Sequence, residues 1–412
     1  MKKKVIVIGA GASGIMASIS SARNGYDVTL LEKLPKIGAK LKATGGGRCN
    51  ITNRLPKEDF MKSFGKEGRF MTPALDKLDY KSLQHFFNKI GVKTDTPDGF
   101  RVFPVGHNST TIINALKEEI KRVGVKVKTA TTVITLELKE EKVVGVQTEE
   151  DIILADAVII ATGGLGYPLL GSDGDGYRFA KLAGHKIVEL NPAMMPLKTK
   201  EKWGLNCRAD TIAKVELRVN IKKYKKLHAI GDLIFTKNGI RGPVVLDFSR
   251  EITPLLAKYN EVPLLMNLTK GMNEEQIRVH IKKVLSKNNN LNILEILETL
   301  LPTSVSIELC KLANASHTLT FKKLSGNIRD KLIKLLAWTP LTIIGHDGFK
   351  MAMITRGGVS LKEVNPNSMM SKKVDGLYFC GEVLNLDGPC GGYNLQWAFS
   401  SGFLAGLCYK IL

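Results

Sequence analysis

The residues best suited to chemistry fall in two glycine-rich turns at opposite ends of a 412-residue chain, each paired with a carboxylate at the end of an apolar strand. In the first, Val5-Ile6-Val7-Ile8 runs into Gly9-Ala10-Gly11-Ala12-Ser13-Gly14. A helical pattern with Ile15, Ile19 and Ala22 on one face follows, and Val28-Thr29-Leu30-Leu31 ends at Glu32. This is a strand, turn, helix, strand unit that binds dinucleotides. Gly9 permits the turn, Gly11 lets backbone approach a pyrophosphate, and Gly14 lets the helix lie on the strand. Backbone N–H groups from Gly11, Ala12, Ser13 and Gly14, with about half a positive charge at the helix start, face the phosphates. Glu32 stands where an acid accepts hydrogen bonds from ribose and repels a 2'-phosphate, so FAD or NAD is expected rather than NADP.

The second cluster is Asp375-Gly376-Leu377-Tyr378-Phe379-Cys380-Gly381-Glu382, then Gly388-Pro389-Cys390-Gly391-Gly392-Tyr393-Asn394-Leu395 opening the last helix. Glu382 at a strand end, beside Gly381, suits a ribityl hydroxyl. The helix start after Gly391 and Gly392 would favour the negative charge that reduced flavin carries near N1. Between the two clusters, Gly45-Gly46-Gly47-Arg48-Cys49-Asn50-Ile51-Thr52-Asn53 must be a loop, because three consecutive glycines hold neither helix nor strand. Following Glu32, it would run along the dinucleotide towards its chemical end, with Thr52 among its contacts. A buried strand ending in Ala161-Thr162-Gly163 lets backbone pass beside the cofactor, and Thr132-Val133 is placed to meet adenine. For the reaction itself, Arg48 offers a cation, while Asp387 and Tyr393 could handle protons; Asp387 also suits the turn before Gly388.

These pieces imply an α/β fold: a Rossmann-like FAD-binding domain of the two-dinucleotide-fold type, split by an insertion. Residues 1–195 and 346–412 form its parts, with strands expected at Val125 to Leu138, Lys142 to Thr148 and Ala157 to Ala161. Residues 196–345 form an inserted β-rich domain with a small helical subdomain at about 270–335. Strand-like pieces there alternate with turns such as Lys237 to Pro243, and no second GxGxxG follows a strand. A dedicated NAD(P) domain is therefore not expected, and NAD(P)H would bind only transiently as electron donor.

A net charge of +21 suggests anionic partners, although the lysines are spread widely, with one short run at Lys222-Lys223-Tyr224-Lys225-Lys226. The six cysteines show no CxxC spacing and the N-terminus has no signal peptide, which points to the cytoplasm and against a metal site. Cys49 and Cys390 are expected to pack rather than to form a redox pair. The last helix, expected over Leu395 to Leu412, is too short and too polar to span a membrane. The sequence carries no signal of oligomeric state.

Taken together, the blocks Gly9 to Gly14 with Glu32, Gly45 to Asn53, Phe235 to Pro243 and Thr355 to Gly402 resemble the BaiN-like family of NAD(P)/FAD-dependent oxidoreductases, which includes aminoacetone oxidases. Thr44 and Cys390 depart from that pattern, which more often has serine and threonine there. The resemblance implies FAD held by Gly9, Gly11, Ser13, Gly14, Glu32, Lys33, Lys40, Arg48, Asn50, Thr162, Gly381, Glu382, Gly392, Tyr393 and Asn394. It also implies a small-molecule substrate handled by hydride transfer at flavin N5, as an amine or aminoketone oxidase with oxygen or as an NAD(P)H-dependent reductase. Nucleic acid is not expected as a partner on this reading. A competing reading is a nucleic-acid-acting or regulatory flavoprotein that uses its basic surface to hold RNA.

Overall fold

The computed structural model describes residues 2–408. The chain divides into two compact units, Met1–Pro192 with Met353–Leu412 and, between them in sequence, Ala193–Ala352. The expected boundaries were 195/196 and 345/346; the second division falls later because the strand Thr339–His346 stays paired in the inserted unit to its end.

In the first unit, five parallel strands lie in the order Leu377–Phe379, Ala157–Ile160, Lys4–Ile8, Asp27–Leu31, Lys126–Lys128. The Val, Ile and Leu residues of the first four are buried, as strands covered on both faces require, whereas the edge strand Lys126–Lys128 is exposed. The register sets Ile8 opposite both Ile160 and Leu31, and Ile160 opposite Phe379. The residues that follow, Gly9, Ala161, Glu32 and Cys380, therefore emerge side by side at the carboxyl edge, where open α/β sheets bind ligands.

The stretch Val125 to Leu138, expected as one strand of a small sheet, is two. Lys126–Lys128 joins the parallel sheet, and Val133–Lys139 pairs with Lys142–Thr148 in a separate three-stranded sheet. The break has a cause: Ala130 (φ 51°) and Thr131 turn to donate to Leu34 O and Glu32 O, at 3.0 and 2.9 Å. The glycine triplet also differs from a plain loop. Thr44–Gly47 is a single tight turn of 3-10 type, with Gly45 and Gly46 left-handed.

The N-terminal helix, Ala12–Arg23, packs against the C-terminal helix, Tyr393–Gly406. Gly402 and Gly406 make that approach possible, since a Cβ on them would stand 2.2 Å from Ser13 O and 2.4 Å from Ala17 O. Ser20 and Ser21 hydroxyls donate to Phe403 O and Gly406 O at 2.8 and 2.9 Å, satisfying carbonyls near the helix end. On its other side, Gln396 and Ser400 donate to Leu78 O at 2.9 and 2.6 Å. This is a buried core helix, and among the described residues no helix is long and apolar enough to cross a membrane. It ends at Gly406; the expected continuation to Leu412 lies, from residue 409, outside the described residues.

The second unit is built on a closed six-stranded barrel in the order Leu197–Thr199, Gly239–Arg241, His228–Phe235, Thr211–Val219, Val262–Asn267, Thr339–His346. Closure leaves no free sheet edge. Four helices, Glu274–Lys287, Ile293–Leu297, Thr303–Ala313 and Gly326–Ala337, form the helical part, the first two opened by capping boxes at Asn273 and Asn292. The sequence reading missed Thr303–Ala313 and also Pro243–Tyr259, a helix that starts with proline at its first position. Val244, Val245, Phe248, Ile252, Leu255 and Leu256 bury one face of that helix at helical spacing, despite Pro254 inside it.

Two expectations follow for stability. Gly402→Val drives a side chain into a backbone carbonyl and should destabilise by about 1–3 kcal/mol or more in urea titration; an unchanged midpoint would contradict the close helix packing. His185 is buried, with Nε2 2.8 Å from Ser371 Oγ and Nδ1 3.4 Å from Glu363, and burial holds its pKa below the usual value. The unfolded chain then binds the proton more readily, so stability should fall as pH drops through about 6.5. Urea midpoints measured across that range should show this loss reduced in His185→Gln.

Candidate active site at the carboxyl edge of the sheet

Glu32 is 9% exposed and accepts two backbone hydrogen bonds, from Ala10 N at 2.8 Å and from Leu34 N at 2.9 Å. It thereby ties the glycine turn to the loop that leaves its own strand. The three glycines of the turn serve different ends. A Cβ on Gly9 would stand 2.7 Å from Ala161 O and one on Gly14 1.8 Å from Gly9 O, whereas Gly11 has nothing within 4 Å. Space above Gly11 is thus open, and the helix that starts at Ala12 has no side-chain cap. An uncapped helix start facing open space is a fit for a pyrophosphate.

Glu382 is fixed from two directions. Its Oε1 accepts from Thr355 N at 2.8 Å and its Oε2 from Lys40 Nζ at 2.8 Å, so the loop after Glu32 is bonded to the turn after Phe379. Thr355 Oγ1 in turn accepts from Leu165 N at 2.7 Å, while a Cβ on Gly164 would stand 2.3 Å from it. Gly381 N donates to Ser401 Oγ at 2.9 Å, binding this turn to the C-terminal helix. Burial and the neighbouring Glu382 charge push the Tyr177 hydroxyl pKa up, so Tyr177 is a neutral buried phenol. Thr162 Oγ1 is buried beside these groups without a protein partner, at the strand end expected to pass the cofactor.

The glycine loop and the C-terminal turn are stitched together. With its amide oriented to satisfy both ends, Asn50 accepts from Gly392 N at 3.0 Å and donates to Thr52 O and Val102 O at 2.8 and 3.1 Å. Asn53 donates to Gly391 O at 2.9 Å. Gly392 has φ 86° and lies so close to buried Thr52 that a Cβ would be 2.5 Å from its carbonyl. Asn394 exchanges bonds with Gly388, accepting from its N at 2.8 Å and donating to its O at 2.9 Å. The helix beginning at Tyr393 has no side-chain cap. Tyr393 itself is buried against Phe60, Phe64 and Phe100, with ring centroids 5.0, 6.1 and 6.5 Å away.

The other expected residues occupy varied settings. Lys33 is ion-paired with Asp173 and, at 3.0 Å, Asp175, interactions that outweigh its desolvation and raise its pKa. Arg48 is exposed, its Nε donating to Gly45 O at 3.3 Å and its guanidinium 6.0 Å from the Phe103 ring. Val133 is buried and begins the hairpin strand opposite Thr148; the residues bonded to the Glu32 loop are Ala130 and Thr131. Ala161 is buried, Gly163 is left-handed at φ 73°, and Leu395 and Asp387 are half-buried. Cys49 is buried and pushed up to about 11, so it carries no thiolate at neutral pH. Sequence reasoning missed Thr355 and Tyr177; Thr355-Arg356-Gly357-Gly358 looked cofactor-like, but only the fold brings Thr355 to Glu382.

Residues 3–408 match the family model described as HI0933-like protein Rossmann domain. The chain belongs to this family. It is similar to the 3-dehydro-bile acid delta(4,6)-reductase of Clostridium scindens, at 33% identity over 98% of each chain. It is also similar to the ribosomal RNA dihydrouridine synthases of Haemophilus influenzae, at 28% over 98% of this chain and 97% of that one, and of Escherichia coli, at 28% over 97% and 96%. Among solved structures, a flavocytochrome c3 fumarate reductase (17% identity, TM-score 0.53, 99% and 78% covered) shares the fold. So does the 3-ketosteroid-delta4-(5alpha)-dehydrogenase of Rhodococcus jostii (17%, 0.52, 99% and 95%). The chain is a FAD-dependent oxidoreductase.

The double anchoring of Glu32 generates a prediction. Glu32→Ala should weaken FAD binding to deflavinated protein by at least tenfold, since it leaves the two backbone N–H groups that order the glycine turn and the following loop unpaired, about 1–3 kcal/mol each. Titration by flavin fluorescence quenching checks it, and an unchanged affinity would displace Glu32 from the site.

Proposed function

We propose that this enzyme reduces a carbon–carbon double bond conjugated to a carbonyl group. The observation that carries this reading is a common chemistry in the names of its full-length relatives. A delta(4,6) bile acid oxidised at C3 is a conjugated dienone, and uridine becomes dihydrouridine by saturation of a ring bond conjugated to a carbonyl. Of the expected alternatives, this favours the NAD(P)H-dependent reductase over the aminoketone oxidase. When bound and reduced by NADH or NADPH, the flavin would supply the hydride from N5. The chain's own work is to hold the cofactor, shield the site and deliver a proton to the substrate carbon next to the carbonyl.

The cradle suits that division of labour. Gly11 to Gly14 and Glu32 would take the adenosine diphosphate half, and Thr162, Gly381 and Glu382 the ribityl chain. The uncapped helix start at Gly392 to Leu395 would stabilise charge on the reduced ring, and Tyr393, screened by three phenylalanines, would deliver the proton. NADH or NADPH would enter and leave the substrate site in turn, because the chain has one dinucleotide fingerprint.

The substrate on this reading is a small enone, as for the 33% relative. A second reading takes the uracil of RNA as the enone. The two synthases and a net charge of +21 favour it.

Anaerobic mixing tests the reading. NADH or NADPH should bleach the flavin, and a 3-oxo-4,6-diene steroid should restore its colour; bleaching by aminoacetone instead would contradict the proposal. Tyr393→Phe should slow enone reduction by about 10²–10⁴-fold while leaving reduction by the nicotinamide intact. Loss of ribosomal dihydrouridine in a strain lacking the gene would select the RNA reading, and retention would reject it.

A further inference from the structure

The inserted unit holds a disproportionate share of the charge. Within Ala193–Ala352, 26 Lys and Arg stand against 14 Asp and Glu, so +12 of the total +21 belongs to that unit. Part of the excess is gathered at one end of the barrel. The connection between Thr211–Val219 and His228–Phe235 carries Lys222, Lys223, Lys225 and Lys226, all exposed. Asn220 N donates to Pro263 O at 2.8 Å, which sets this connection beside the start of the strand Val262–Asn267 and the exposed Lys258-Tyr259 before it.

Two aromatic rings are set among these cations. Tyr224 and Tyr259 meet edge to face with centroids 6.2 Å apart. Lys223 Nζ lies 5.7 Å from the Tyr224 ring and Lys258 Nζ 5.2 Å from the Tyr259 ring. Arg218, opposite His228 on the neighbouring strand, stacks over Trp338 at 4.4 Å. The nearby acids are already engaged, Glu216 by Arg218 and His228, and Glu261 by Lys200. Among the described residues, none of Lys222, Lys223, Lys225, Lys226 and Lys258 has a carboxylate partner.

We infer that this end of the barrel is a docking surface for single-stranded RNA. Several unneutralised cations within a few residues follow a phosphate backbone, and the tyrosines give bases a face to stack on, a combination shared by proteins that hold single strands. A flat array of lysines alone would suit any polyanion. The paired aromatic rings, partly exposed between the cations, favour nucleic acid over a lipid headgroup. The inference rests on the RNA reading above for its biological role, but its test is direct binding.

The experiment uses the flavin-loaded full-length enzyme with a fluorescein-labelled oligouridylate, and with deproteinised ribosomal RNA as competitor. The quadruple variant Lys222→Glu, Lys223→Glu, Lys225→Glu, Lys226→Glu should bind the labelled strand at least tenfold more weakly near physiological salt. Its salt slope should be shallower by about 2–3, at about 0.7 for each phosphate no longer neutralised. Tyr224→Ala, a milder change, should weaken binding about tenfold with the salt slope unchanged. Equal binding by wild type and both variants overturns the inference, as does tighter binding of wild type to phosphatidylglycerol vesicles than to RNA. Retained flavin absorbance and an unchanged melting temperature exclude misfolding. If ribosomal dihydrouridine forms normally in cells carrying the quadruple variant and its RNA affinity is intact, this surface is wrong and the RNA reading survives. If binding is lost in the variants but dihydrouridine never depends on the gene, the reading fails and the surface stands.

Discussion

The structure depends on a close approach of backbones between the first and last helices. Ser13 O sits where a side chain on residue 402 would be, and Ala17 O where one on residue 406 would be. Only hydrogen fits there, so the two helices can pack at a distance that brings Ser13 against Gly381 and lets Ser401 accept from Gly381 N. Segments far apart in sequence are thereby fixed to one sheet edge, with the register of the parallel strands setting their heights. The cost falls on the conformational freedom that glycine has before folding.

The two carboxylates repeat one device. Each accepts a backbone N–H from a neighbouring segment, Glu32 from Ala10 and Leu34, Glu382 from Thr355. Each is thus oriented before a ligand arrives, which lowers the cost of ordering on binding. Lys40 joins the halves through Glu382, and Asn50 and Asn53 join the glycine loop to Gly391 and Gly392. Loops that carry function are in this way positioned by a rigid frame.

Much of this was legible in the sequence because it depends on local constraints. A turn that needs Gly9, Gly11 and Gly14 between an apolar strand and a helix, with an acid closing the next strand, has few other readings. Glu382 was legible for the same reason, as an acid after a glycine at a strand end. The illegible parts are tertiary. Nothing local to Ile354-Thr355 announces that its N–H meets Glu382, and Lys33, beside Glu32, is claimed by Asp173 and Asp175 across a long sequence gap. The break between Lys128 and Val133 arises from bonds to Glu32 O and Leu34 O, not from a strong turn signal. The helix Pro243–Tyr259 was hidden by its own Pro254 and by strand-forming Val244 and Val245.

The central claim is that both ends of the chain hold one flavin. Hydrogen–deuterium exchange during titration of deflavinated protein with FAD tests it most directly. The account predicts that amides in Gly9 to Ile15 and in Gly381 to Gln396 gain protection together, with the same midpoint. Protection confined to one segment, or two separate midpoints, would contradict it.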